Sequence, residues 1–187
     1  MKYVRRLLWF IASKLLIFSV IASVLVLAFY LAMNTANIYL LLSDGMQLRT
    51  SVILTRDDAS ELPNFFANSF LDNDEALKIG MSSQSPFANY RITSFESEVK
   101  LEWVWSWPWQ DVAQANMIHT VPEIKGTIRP EKAALVQSGA LGANPPVWNG
   151  GRYEMQLHRV NGQWKIAGME QKQVILPKTT PVPTATP

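Results

Sequence analysis

Residues able to do chemistry are few in this chain, and the densest group is the run Trp103-Val-Trp-Ser-Trp-Pro-Trp109, four indoles at alternate positions. Exposed indoles can hold sugars, aromatic ligands or lipid headgroups, but a row of them on one strand face also simply fills a core with large apolar area. Trp103 and Trp105 continue the face of Val99 and Leu101 and are expected inside. Trp107 and Trp109 flank Pro108, which interrupts a strand ladder, so they are expected at a strand end, open to a ligand, a partner or the membrane interface. His119 and His158 are the only histidines. His119 shares parity with Met117 and Val121 and is expected to face the interior, with Asp111 or Glu123 as a possible carboxylate neighbour. His158 has the opposite parity to Tyr153, Met155 and Leu157 and is expected in solvent. Neither lies in a catalytic motif, and a lone strand histidine is most simply a satisfied structural residue.

Composition excludes several chemistries. The chain has no cysteine, which removes disulfides, thiolate metal sites and thiol nucleophiles. No metal-ligand spacing and no phosphate loop is present, so no cofactor is expected. Asp57, Asp58, Asp72, Asp74 and Glu75 sit at helix starts, where capping accounts for them, and Asp72-Asn73-Asp74-Glu75 lacks the alternating ligands of a calcium loop. The net charge is +2, but the four basic residues Lys2, Arg5, Arg6 and Lys14 precede everything else, leaving the remainder at about −2. Nothing there suits nucleic acid, which calls for a basic face.

The element that must position these residues begins with Leu15 to Met33, nineteen residues without a charge, an amide, a proline or a glycine. As a helix it would reach roughly 28 Å, about the hydrocarbon thickness of a bilayer, with its backbone groups satisfied internally. The four basic residues before it, against Arg49 alone in the twenty residues after it, predict a cytoplasmic tail at 1–14, a membrane helix at 15–33 and an extracytoplasmic domain at 34–176. A cleaved signal peptide shares the basic start. The apolar run, however, exceeds the usual length of about 7 to 15 residues, and Ala32-Met33-Asn34-Thr35-Ala36 has no A-x-A arrangement.

Beyond the apolar run, Ile38, Leu41, Leu42, Met46, Leu48, Val52 and Ile53 recur at helical spacing, predicting an amphipathic helix to about Leu54 that continues the first, with Gly45 marking close packing or a bend. A second helix is expected from Ser60, as N-cap, to Leu71, and a short third one capped by Asp72–Asp74 and ended by Gly80. From Tyr90 the period becomes 2, giving a strand through the tryptophan run, then a strand over 113–128 with Pro122 at an edge or bulge. Residues 130–146 read as a long connection with a helical turn at 131–138. Asn161-Gly162 between two alternating runs is the signature of a two-residue type I′ hairpin. Residues 177–187, rich in Pro and Thr, cannot bury a core and are expected to be disordered.

Helices followed by long antiparallel strands, closing on Tyr153-x-x-x-Leu157-x-Arg159-x-Asn161-Gly162-x-Trp164-Lys165-Ile166, resemble the nuclear transport factor 2-like superfamily. The resemblance implies an α+β domain shaped as a cone, its helices packed on a curved antiparallel sheet. Membrane-anchored members with the same layout include extracytoplasmic components of conjugation, type IV secretion and sporulation channels. That layout, together with the absence of a catalytic motif, leads to the expectation of a non-catalytic scaffold in a bacterial cell-envelope assembly, whose partners are the lipid bilayer and envelope proteins or further copies of itself. The competing expectation is a small-molecule-binding or enzymatic cone with Trp107, Trp109 and His119 at its open end. A polar cavity beside His119 would favour the second, and a filled interior the first.

Overall fold

The computed structural model describes Lys2–Pro177, with the side chains of residues 2 and 4–8 outside that description. The basic residues Lys2, Arg5 and Arg6 thus fall outside the described side chains, as does the Pro/Thr tail from residue 178. Of the four orientation residues Lys14 is described, with its ammonium 5.6 Å from the Phe10 ring centroid.

The domain is α+β: one long apolar N-terminal helix, a few short helices, and antiparallel sheets. Helix α1 runs unbroken over Lys2–Thr55, roughly 80 Å at about 1.5 Å per residue. Its two halves meet different surroundings. Between Trp9 and Met33 the large apolar side chains are exposed all round, and this stretch is long and apolar enough to cross a membrane. Ser23 Oγ donates to the Ser19 carbonyl at 2.8 Å, so this hydroxyl is satisfied within the helix. From Asn34 onward one face becomes buried, and Ile38, Leu42, Met46, Val52 and Ile53 form the spine of the core. The helix ends where Arg56 turns to φ +62°, its N–H still reaching the Val52 carbonyl, and the Arg56 guanidinium caps the Met81 carbonyl.

After α1 the expected second helix is broken in two. A 3₁₀ turn at Leu62–Asn64, closed by a still-helical Phe65, is separated from the single-turn α2 at Asn68–Leu71 by Phe66, which bridges to Ile166, and an extended Ala67. Ser60 caps nothing; it bonds back to Asp58 in a turn. The break has a tertiary cause. Phe65 O accepts from Ile166 N at 2.9 Å and Ala67 N donates to Ile166 O at 2.8 Å, so a sheet edge takes backbone groups that a helix would have used internally. Helix α3, Glu75–Met81, is capped by Asp74, whose carboxylate accepts from Leu77 N. Gly80 is not its terminator. It is the point of contact with α1, where an added Cβ would stand 2.8 Å from Ile53 Cγ2.

Six strands follow: β1 (Tyr90–Phe95), β2 (Glu98–Trp105), β3 (Val112–Thr120), β4 (Ile124–Ile128), β5 (Gly150–Val160) and β6 (Gln163–Ile175). The four-stranded sheet has the order β2-β3-β5-β6, and β1 pairs with β4 in a separate ribbon. The strand expected over 113–128 is therefore two strands in two sheets. Its partner breaks at the same level, because Glu98 pairs with Thr120 and Phe95 with Ile124, leaving Ser97 opposite the Val121-Pro122 kink. Short helix α4, Ala133–Gln137, occupies the connection before β5. The hairpin turn is as expected, with Asn161 at φ +52°, Gly162 at φ +81°, and Val160 paired to Gln163.

Ala113, Ala115, Met117, Met155, Leu157 and Ile166 carry the inner face of the sheet against α1, with Phe66 and Leu62 closing the side. Gly45 lets the layers approach: a Cβ there would lie 3.1 Å from Phe65 Cβ and 3.3 Å from Ile166 Cδ1. We predict that Gly80→Ala lowers stability by about 1–2 kcal/mol, since overpacking costs about 1–3 kcal/mol and better helix propensity returns at most about 1. The check is the urea midpoint of the full chain in detergent. An unchanged or raised midpoint would show that α1 and α3 are not in tight contact.

Candidate functional site

The tryptophan run divides at a β-bulge. Leu101 pairs with Met117 but Trp103 pairs with Asn116, so Glu102 is an extra residue and inward and outward positions exchange beyond it. Val99, Leu101 and Val104 consequently pack on the core, whereas Trp103 and Trp105 are 47% and 50% exposed, contrary to the expectation that they fill it. Val104, apolar at a position that strict alternation would place with the polar Lys100 and Glu102, is the sign of the bulge in the sequence. Glu102 is held by Arg152 at 3.0 Å.

Beyond β2 the chain turns through Trp107-Pro108-Trp109, with Gln110 N donating to Trp107 O at 3.1 Å and Pro108 at the second position, where its fixed φ suits the turn. Trp107 and Trp109 stack at 5.1 Å and 19°, and Trp105 meets Trp107 edge-on at 5.1 Å. Trp107 is 38% and Trp109 73% exposed. This turn leans on α1: Tyr30 Oη donates to the Pro108 carbonyl at 3.2 Å, and a groove of about 500 Å³ lies between Pro108 and Ser19, Ala22, Ser23, Val26 and Leu27.

Just above, a polar clasp fastens α1 to the sheet. Buried Asn34 donates through Nδ2 to Ser106 Oγ at 2.8 Å and accepts at Oδ1 from Trp164 Nε1 at 2.8 Å. Arg159 lies over the Trp164 ring at 4.4 Å and approaches Tyr30 Oη at 3.4 Å. Residues from the first helix, the β2–β3 turn and the final hairpin thus converge where α1 enters the domain. In the sequence, Asn34 carries one faint signal, being the first amide after the apolar run.

His119 is elsewhere. It pairs with Val99 near the far end of β3, five residues from the Gln114 that faces Trp105, or roughly 17 Å along a strand. The fold therefore does not bring Trp107 and Trp109 together with His119. The imidazole is 0% exposed, in edge contact with Trp148, and neither Asp111 nor Glu123 bonds to it. Its Nε2 meets Ser97 Oγ at 3.1 Å and Thr50 Oγ1 at 3.5 Å, while Nδ1 has no partner. His158, as expected, is exposed.

Around His119 lies a buried polar cluster absent from the sequence reading. Arg49 makes a two-pronged ion pair with Asp74, Nε to Oδ2 at 2.6 Å and Nη2 to Oδ1 at 2.8 Å, with both side chains nearly inaccessible. Burial pushes the Asp74 carboxyl up, but the Arg49 hydrogen bonds and charge outweigh it and hold the group below its ordinary value. Burial, reinforced by the Arg49 charge, lowers His119 from 6.5 to about 4, and burial raises the Tyr153 phenol. The imidazole is closed off from solvent, and the cluster joins α1, α3 and β3. No group of three or more metal-capable side chains occurs among the described residues. Comparison with family models, curated proteins and solved structures returned no match to this chain.

Two outcomes follow from the cluster. Unfolded His119 takes up a proton near pH 6.5 while the folded residue resists until about pH 4, so stability falls as pH drops through that window, by about 3 kcal/mol in full. Urea titrations at pH 7 and pH 4.5 should show the loss, and His119→Gln should flatten it; an equal slope in both proteins would place the acid sensitivity elsewhere. Asp74→Asn leaves the Arg49 charge buried without its counter-ion and should cost about 3–5 kcal/mol, measured the same way at pH 7.

Proposed function

We propose that this chain is a single-pass, membrane-anchored extracytoplasmic scaffold of nuclear transport factor 2-like fold, acting through protein contacts in a bacterial cell-envelope assembly. The observation that carries this reading is the unbroken helix α1, whose apolar exposed half runs without a linker into the half that forms the core spine. A rigid stalk of this kind fixes the height of a domain above a bilayer, which suits a component that must meet neighbours in register. The basic residues Lys2, Arg5, Arg6 and Lys14 before the apolar run favour an inside N-terminus.

The four-stranded sheet supports an interaction role. Its inner face covers α1, while Gln114, Asn116, Gln156 and His158 on the opposite face are exposed, with Trp103 and Trp105 at one edge. Such a polar, exposed face, with Trp103 as an accessible aromatic anchor, is chemically suited to a protein partner. The enclosed His119 gives no such support to a catalytic cone.

Photo-crosslinking in intact cells from Asn116 and Gln156 tests the proposal. The expected products are adducts with envelope proteins or with a second copy. Recovery of monomer alone from both positions would sink the scaffold reading.

A further inference from the structure

The Trp105–Trp109 turn hangs beside the exposed apolar part of α1, below the point at which the helix becomes buried at Asn34. Its Pro108 carbonyl accepts from Tyr30, and Pro108 faces Val26 and Leu27 across the groove. Tyr30 to Met33 is roughly 5 Å of helix and the groove continues to Val26, roughly 10 Å, so the turn reaches back along the proposed span by about the depth of an interfacial layer. Trp105, Trp107 and Trp109 are exposed there, packed on one another rather than on the core. Three indoles clustered in water at a strand end and its turn would be a costly surface for a soluble domain. Beside a transmembrane helix the same surface is in its preferred medium, because indoles concentrate where apolar rings and a polar N–H meet the headgroups. Tyr30 and Arg159 stand at the same level, adding a phenol and a cation suited to headgroup phosphates.

We propose that the Trp105–Trp109 turn inserts into the headgroup region of the adjoining leaflet, lipid being its occupant, as a second membrane contact beside the span. Because the turn lies on one side of α1, it sets the tilt and rotation of the helix and hence the direction in which the sheet faces. The inference rests on the reading of α1 as a membrane span.

The absence of native cysteine permits a clean test on the full chain in phosphatidylcholine vesicles. An environment-sensitive fluorophore is placed singly at Trp109→Cys, at Leu25→Cys on the span and at Ala140→Cys on the exposed connection. Gln110→Cys reads the same turn with every tryptophan retained. Quenching is measured with lipids carrying a nitroxide high on the acyl chain and with aqueous iodide. The expected result is that labels at 25, 109 and 110 are quenched by lipid and are several-fold less open to iodide than the label at 140. If 109 and 110 are as open to iodide as 140 while 25 is lipid-quenched, the inserted turn is wrong and the span stands. Shielding of 109 and 110 from both quenchers would mean that protein covers the turn, which also overturns the inference. If 25 itself is open to iodide, the span reading fails and the inference with it.

Discussion

A single helix that has to satisfy two surroundings in succession constrains everything else in this structure. From Leu15 to Met33 it carries no charged side chain and its large apolar residues are mostly exposed, and from Asn34 it is one-sided, with the inner face of the sheet laid against it. The change occurs at Asn34, whose amide bonds in opposite directions to Ser106 and Trp164. A buried amide left unpaired would cost about 1–3 kcal/mol, and paired in this way it joins three chain segments distant in sequence. Because the helix is unbroken there, any orientation adopted by its apolar half is transmitted to the domain.

At the other end of the core the burial of charge plays a comparable part. Arg49 and Asp74 are worth little as a net stabilising pair, since desolvation offsets much of their attraction, yet neither tolerates loss of the other. The pair thereby specifies which turn of α3 meets which turn of α1, while Gly80 against Ile53 sets how closely. His119 fits the same pattern. Its Nε2 meets Thr50 of α1 and Ser97 at the strand break, with a ring nitrogen left over. These groups tie the helices, the kinked hairpin and the core together and leave the outer sheet face and the aromatic turn as the accessible surfaces.

Much of this was legible in the residues, and the failures have a common cause. The continuity of the helix, the Asn161-Gly162 hairpin, the inward His119 and the packing role of Gly45 all rest on local periodicity or on the conformational needs of one or two residues. The tryptophan strand misled because alternation predicts facing only while the register holds, and one bulged residue at Glu102 reverses it. Ser60-to-Leu71 has helical spacing but is split because Ile166, about a hundred residues away, bonds to Phe65 and Ala67. Pro122 announced an interruption without announcing that two sheets part there.

The sequence by itself determined an apolar helix of bilayer length, the amphipathic helix that extends it, the α+β class and the final hairpin, because length, period and turn chemistry are properties of neighbouring residues. Only the tertiary structure decided that Asn34 clasps the sheet, that Arg49 of α1 and Asp74 at the start of α3 meet in the interior, and that the aromatic turn lies beside Tyr30 while His119 is sealed at the other end of β3. Those outcomes depend on register and on which distant backbone groups remain to be paired, and no stretch of chain carries that information alone.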